Sequence, residues 1–148
     1  MKAVISRVDR AECRVDGEIT GKIEHGFLVV AGFSVDDTED NVIKMASKIG
    51  RLRIFGDCEG KINKSAADVG GSALVISNFT LYGRVRHSNR PDFILSCPAE
   101  RAEIYYELFK KELSAYMPVQ SGIFGAHMHI EALNDGPVTL VIDSCDFQ

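Results

Sequence analysis

The chain has no apolar stretch approaching the ~20 residues that span a bilayer, and no basic-then-apolar leader follows Met1. These absences argue against a membrane protein and give the expectation of a cytoplasmic one. The four cysteines, Cys13, Cys58, Cys97 and Cys145, are scattered, with no CxxC pair or Cys/His cluster of zinc-ligand spacing. They are expected to pack as small hydrophobes or sit in loops. Nucleophile elbow, Walker loop, dinucleotide fingerprint and HExxH are all missing, so the common cofactor signatures do not apply. There is no internal repeat, low-complexity tract or Pro/Ser-rich linker, and 148 residues fit one domain, 1–148.

What is present is an ordinary globular composition, 45% hydrophobic, with a net charge of −4. That charge speaks against non-specific coating of nucleic acid but leaves room for a local grip. Arg84, Arg86, His87 and Arg90 form a short basic patch that, from charge alone, reads more readily as a solvated loop.

Alternation predicts strands at Lys2 to Val8 and Ala11 to Val15, with Asp16-Gly17 as a hairpin turn. Phe27 to Phe33 reads as a strand buried on both faces. Asp36, Asp37 and Thr38 offer caps for a helix to about Gly50, with Glu39 and Asp40 in its first turn. Leu52 to Phe55 and Ala73 to Tyr82 read as strands. A second helix is expected from Pro98 to before Pro118, with Ala102, Tyr105, Phe109, Leu113 and Tyr116 as its buried stripe. His129 to Leu133 and Val138 to Asp143 are strands around the turn Asn-Asp-Gly-Pro. The expected class is mixed α and β (α+β), with a mostly antiparallel sheet and two main helices.

Two segments invite chemistry. Ser77, Asn78 and Thr80 end an apolar strand that has no structural need of three hydrogen-bonding side chains. Backbone N–H groups there, with an amide nearby, can form an oxyanion hole, although such groups also satisfy turns. In Asn134-Asp135-Gly136-Pro137-Val138-Thr139, the Gly-Pro pair is turn chemistry that can also present uncovered carbonyls as a rigid wall. His127 and His129, two apart, lack a third metal ligand at recognisable spacing.

Together the segments resemble the D-aminoacyl-tRNA deacylase (D-tyrosyl-tRNA deacylase) family, whose Ser-Gln-Phe-Thr-Leu-Tyr and Asn-x-Gly-Pro-Val-Thr motifs correspond to Ser77–Tyr82 and Asn134–Thr139. Arg7-Val8, Leu52 to Phe55, Glu59 to Lys61, Asp68 to Gly71, Arg90-Pro91 and Phe124 to Met128 follow in matching order. The resemblance implies an ester hydrolase acting on the 3′ end of D-aminoacyl-tRNA as a homodimer, with no cofactor and no metal. It implies that Ser77, Asn78, Phe79 and Thr80 form the catalytic strand end, with backbone N–H groups of Phe79 and Thr80 near the ester carbonyl. A cis Gly136-Pro137 bond would enter the partner's site as a chiral wall, oriented by Arg7, with Met128 also at the substrate. The terminal ribose 2′-hydroxyl would help activate water. Asn78 departs from the family glutamine by one methylene, about 1.5 Å of reach. That departure supports an alternative, a catalytically impaired nucleic-acid-binding relative; a metal-dependent hydrolase built on His127 and His129 is the third reading.

Overall fold

A computed structural model describes residues 1–148 except His87 and Gln148. Strand β1 (Lys2–Val15) is long and unbroken, where two strands were expected. Asp16 and Gly17, at φ 50° and 81°, turn it into β2 (Glu18–Ile23) as a two-residue hairpin. β3 (Gly26–Gly32) follows, pairing with the first half of β1 as β2 pairs with the second. Its Phe27, Val29 and Ala31 are fully buried, whereas Leu28 and Val30 are only partly so.

Helix α1 (Glu39–Gly50) starts where the sequence places it: the Thr38 hydroxyl accepts from the Asn41 amide, and Glu39 and Asp40 occupy the first turn. Beyond it, only Phe55 of the expected Leu52–Phe55 strand is extended, in β4 (Phe55–Gly56) against β5 (Ile62–Lys64). Helix α1 and this hairpin carry the chain across to β6 (Ser72–Ser77), which is parallel to β3. Helix α2 (Ala99–Leu113) makes the second crossover, to β7 (Val119–Ser121), parallel to β6. The sheet is therefore mixed: β1 pairs antiparallel with β2 and β3, and two helical crossovers make the parallel pairs.

β6 explains its own apolar run. Ala73 and Val75 face a core shared with α1 and α2, through Val42, Met45, Ile49 and Phe109. Leu74 and Ile76 face a second, smaller cluster with Val8, Cys13 and Ile23. Of the expected α2 stripe, Ala102, Tyr105, Phe109 and Leu113 are buried, while Tyr116 lies past the helix end. The Tyr106 hydroxyl, in the same core, donates to the Val75 carbonyl at 2.8 Å, which removes the cost of burying it. All four cysteines are free, Cys13 and Cys97 buried, Cys58 and Cys145 exposed.

The last strand, β8 (His129–Asp143), runs antiparallel along the other edge of β1. Asn134 to Thr139 is not a hairpin turn, because both flanks pair with β1 in one direction. Thr139 opposes Ser6 and Asn134 opposes Val8, so four residues, 135–138, stand against Arg7 alone. The segment is a bulge within one strand. No helix among the described residues is long and apolar enough to cross a membrane.

Candidate active site

The expected strand through Tyr82 stops at Ser77 because Asn78 caps a 3-10 turn, Phe79–Tyr82. Asn78 Oδ1 accepts from the Thr80 amide at 3.1 Å and from the Thr80 hydroxyl at 2.5 Å. A short side chain competing for backbone donors ends the ladder, as Asx turns do. Asn78 N still donates to the Ala31 carbonyl at 2.8 Å, so the turn is fastened to the end of β3. Gly32 permits this approach: a Cβ there would lie 2.8 Å from the Asn78 carbonyl oxygen and 3.0 Å from Leu81 Cβ.

The turn forms one wall of a cavity of about 630 Å³. Ser77, Asn78, Phe79 and Met128 line it; Thr80 stands behind its cap. Apolar walls come from Phe33, Phe124 and Ile130. Two residues that sequence reasoning missed come from the loop before α2: Ser96, whose hydroxyl donates to the Phe79 carbonyl at 3.0 Å, and Cys97. Phe93 meets the Phe79 ring edge to face at 5.0 Å. The Cys-Pro that opens α2 was the only local sign that this loop would be held in place. His127 also lines the cavity and meets His129 edge to face, with ring centroids 5.1 Å apart. Among the described residues, no group of three or more His, Cys, Asp or Glu is placed to hold a metal.

Arg7, Gly136 and Pro137 lie elsewhere in this chain. Arg7 is level with Phe27 in β3, whereas Ser77 is level with Ala31, four residues or roughly 13 Å along the strand. The Gly136-Pro137 bond is cis, as the family resemblance implies. Arg7 Nε donates to the Asp135 carbonyl at 3.2 Å and lies 3.0 Å from its carboxylate, while Nη1 donates to the Ile54 carbonyl at 2.7 Å. Arg7 thus orients the bulge. Asp135 is its unforeseen partner. Gly136 has φ 133°, and a Cβ there would lie 2.6 Å from Val138 N.

In the basic loop, Arg84 is less available than the sequence suggests. Arg84 is paired with Asp92 at 2.9–3.0 Å, which holds the Asp92 carboxyl below the usual carboxylate range. Arg86 and Arg90 are exposed, and His87 lies outside the described residues.

Against this geometry, a family model described as D-Tyr-tRNA(Tyr) deacylase matches residues 4–143. The chain belongs to that family. It is 48% identical over 145 residues to a D-aminoacyl-tRNA deacylase of Fervidobacterium nodosum, covering 97% of each chain. It is 45% identical over 147 residues to that of Thermus aquaticus, covering 99% of this chain and 97% of the relative. Among solved structures, one titled c-Myc DNA Unwinding Element Binding Protein superposes with a TM-score of 0.91 at 41% identity, over 97% of this chain and 98% of that one. A probable eukaryotic D-amino acid tRNA deacylase superposes at 0.82 and 16% identity, over 95% and 97%, which shows the shared fold.

Proposed function

We propose that residues 1–148 act as one domain that hydrolyses the ester between a D-amino acid and the 3′ end of tRNA, releasing both. The observation that carries this reading is the capped 3-10 turn on the cavity wall, in a chain of this family. The first N–H of such a turn, that of Phe79, has no acceptor within the turn itself and can meet a developing oxyanion. Water adds to the ester carbonyl, the tetrahedral oxyanion collapses, and the ribose 3′-oxygen leaves with a proton. Asn78 serves the site in two ways: its Oδ1 is taken by Thr80, and its NH₂ is what the side chain can still offer a ligand. Thr80, with amide and hydroxyl both turned to that cap, positions Asn78 and does not attack. Met128 and Phe124 exclude water from the aminoacyl end.

Chirality is read by a second copy of the chain. Gly136 and Pro137 do not line this chain's own cavity, and Arg7 holds them out as a rigid bulge. The outer edge of β8 supports self-association: it is 15 residues long, with Ile130, Leu133 and Val141 exposed at 42%, 45% and 74%. In the homodimer the bulge of one protomer enters the cavity of the other and repels L-aminoacyl groups by steric exclusion. The protein works in the cytoplasm, where its substrate is made.

Purified protein given matched D- and L-tyrosyl-tRNA should cleave only the D-ester. Equal cleavage of both, or of neither, overturns the reading. Sedimentation at assay concentration should show a dimer, and a fully active monomer would refute the cross-subunit wall.

A further inference from the structure

We propose that a groove at the C-terminal end of α1 binds RNA phosphates of the tRNA acceptor stem; this rests on the deacylase and dimer readings above. The groove, about 650 Å³, lies between α1, residues 51–53 and the closing 3-10 turn Ser144–Phe147. Lys44, Lys48, Arg51 and Arg53 gather on it, all exposed, in a chain whose net charge is −4. Lys44 is bridged to Asp40 one turn away. The other three have neutral partners among the described residues. Lys48 lies over the Phe147 ring at 5.4 Å, and Arg51 over the Tyr116 ring at 5.6 Å. Arg53 donates to the carbonyl and side chain of Asn63. Their charge is therefore held in place with no carboxylate paired to it among the described residues, although Arg53 adds at longer range to the hydrogen bond from the Ser65 backbone in lowering the Asp68 carboxyl.

The helix dipole accounts for one basic residue in the last turn, Lys48, but not for Arg51 and Arg53 beyond it. Exposed Ile43 and half-buried Phe147 add apolar surface beside the cations, which suits the sugar edge of a polynucleotide better than a small free anion.

Position decides which RNA. Arg53 precedes Ile54, whose carbonyl anchors Arg7, and Arg7 in turn grips Asp135 of the bulge. If the bulge enters the partner's cavity, this groove arrives at that cavity's rim. One protomer then cleaves the ester while the other holds the stem behind it. The Arg84–Arg90 loop is a weaker candidate, since Arg84 is already neutralised by Asp92.

The test is binding of uncharged tRNA across a salt series, for the wild-type protein and for a Lys48→Gln/Arg51→Gln variant. A Lys48→Gln/Arg53→Gln variant serves as a second disruption should the first fail to fold. Loss of two phosphate contacts should flatten the log affinity against log salt slope by about 1.8. Hydrolysis of D-tyrosyl-adenosine, which lacks the stem, should be unchanged. An unaltered slope in the folded variants overturns the proposal. So does displacement of tRNA by excess AMP from the wild type alone, which would assign the groove to a free nucleotide. Binding is read without turnover: a slope that flattens in the variant, with a wild type that cleaves no D-ester, supports the groove and refutes the deacylase reading.

Discussion

Asn78 and Thr80 are locked to each other: one amide oxygen accepts both the backbone N–H and the hydroxyl of Thr80. The family's glutamine at this position is a methylene longer and a poorer cap, so the shorter side chain trades reach for a tighter turn. Asn78→Ala should lower turnover of D-tyrosyl-tRNA by ~100-fold or more, through loss of both cap and amide. Asn78→Gln should stay active while costing about 1 kcal/mol of stability in a melting experiment. An active alanine variant would show that backbone groups suffice.

Arg7 is a forked tether between Ile54 and Asp135, and only a planar guanidinium can serve both directions. Arg7→Lys should keep the fold but loosen the bulge. The ratio of D- to L-tyrosyl-tRNA cleavage is the sensitive readout, and it should fall by roughly tenfold or more, since displacements of about 1 Å cost that much or more. A variant with wild-type selectivity would mean that the bulge holds itself.

Gly32 leaves no room for a methyl group between β3 and the Asn78 carbonyl. Because the obstructing atom is backbone, the turn itself must shift. Gly32→Ala should cost about 1–3 kcal/mol in denaturant unfolding and reduce kcat more than KM. Unchanged stability and rate would show that the turn is free to move.

The Arg84–Asp92 pair makes a pH prediction. The hydrogen bond from Arg84 lowers the folded pKa of Asp92 from its ordinary 3.8. A depressed carboxylate stabilises the fold above its unfolded pKa, and that contribution fades as pH falls through the folded value. The pair is therefore intact at neutral pH. In a carboxyl NMR titration, Arg84→Ala should raise the Asp92 midpoint; an unmoved midpoint would discount the pair.

Local rules made α1 legible, since Thr38, Glu39 and Asp40 mark its start within the chain itself. They also marked out Ser77–Thr80 and Asn134–Thr139, and the resemblance supplied roles for residues that spacing alone left open. Local rules failed where the deciding partner is distant. Nothing near Asn134 says that both of its flanks pair with β1, so a bulge reads as a turn. Nothing near Ala73 says that β6 runs parallel to β3, because that direction is set by where α1 packs. Ser96 and Cys97 reach the cavity on a loop whose course depends on a backbone bond to Phe33, 64 residues earlier. The Asn78 cap was the exception: a local competition that a strongly apolar strand pattern concealed.

Residues 135–138 oppose a single residue of β1 inside a continuous ladder, and that fixes how long the segment can be. A hairpin tip absorbs an added or lost residue at its end. Here a deletion or insertion of one residue would carry the pleat of Thr139 to Asp143 half a period out of step, sending Leu140 and Ile142 from the core side to solvent and Val141 the other way. Changes of length at this point are thus paid for by the core and not only by the bulge, which fixes the segment's residue count.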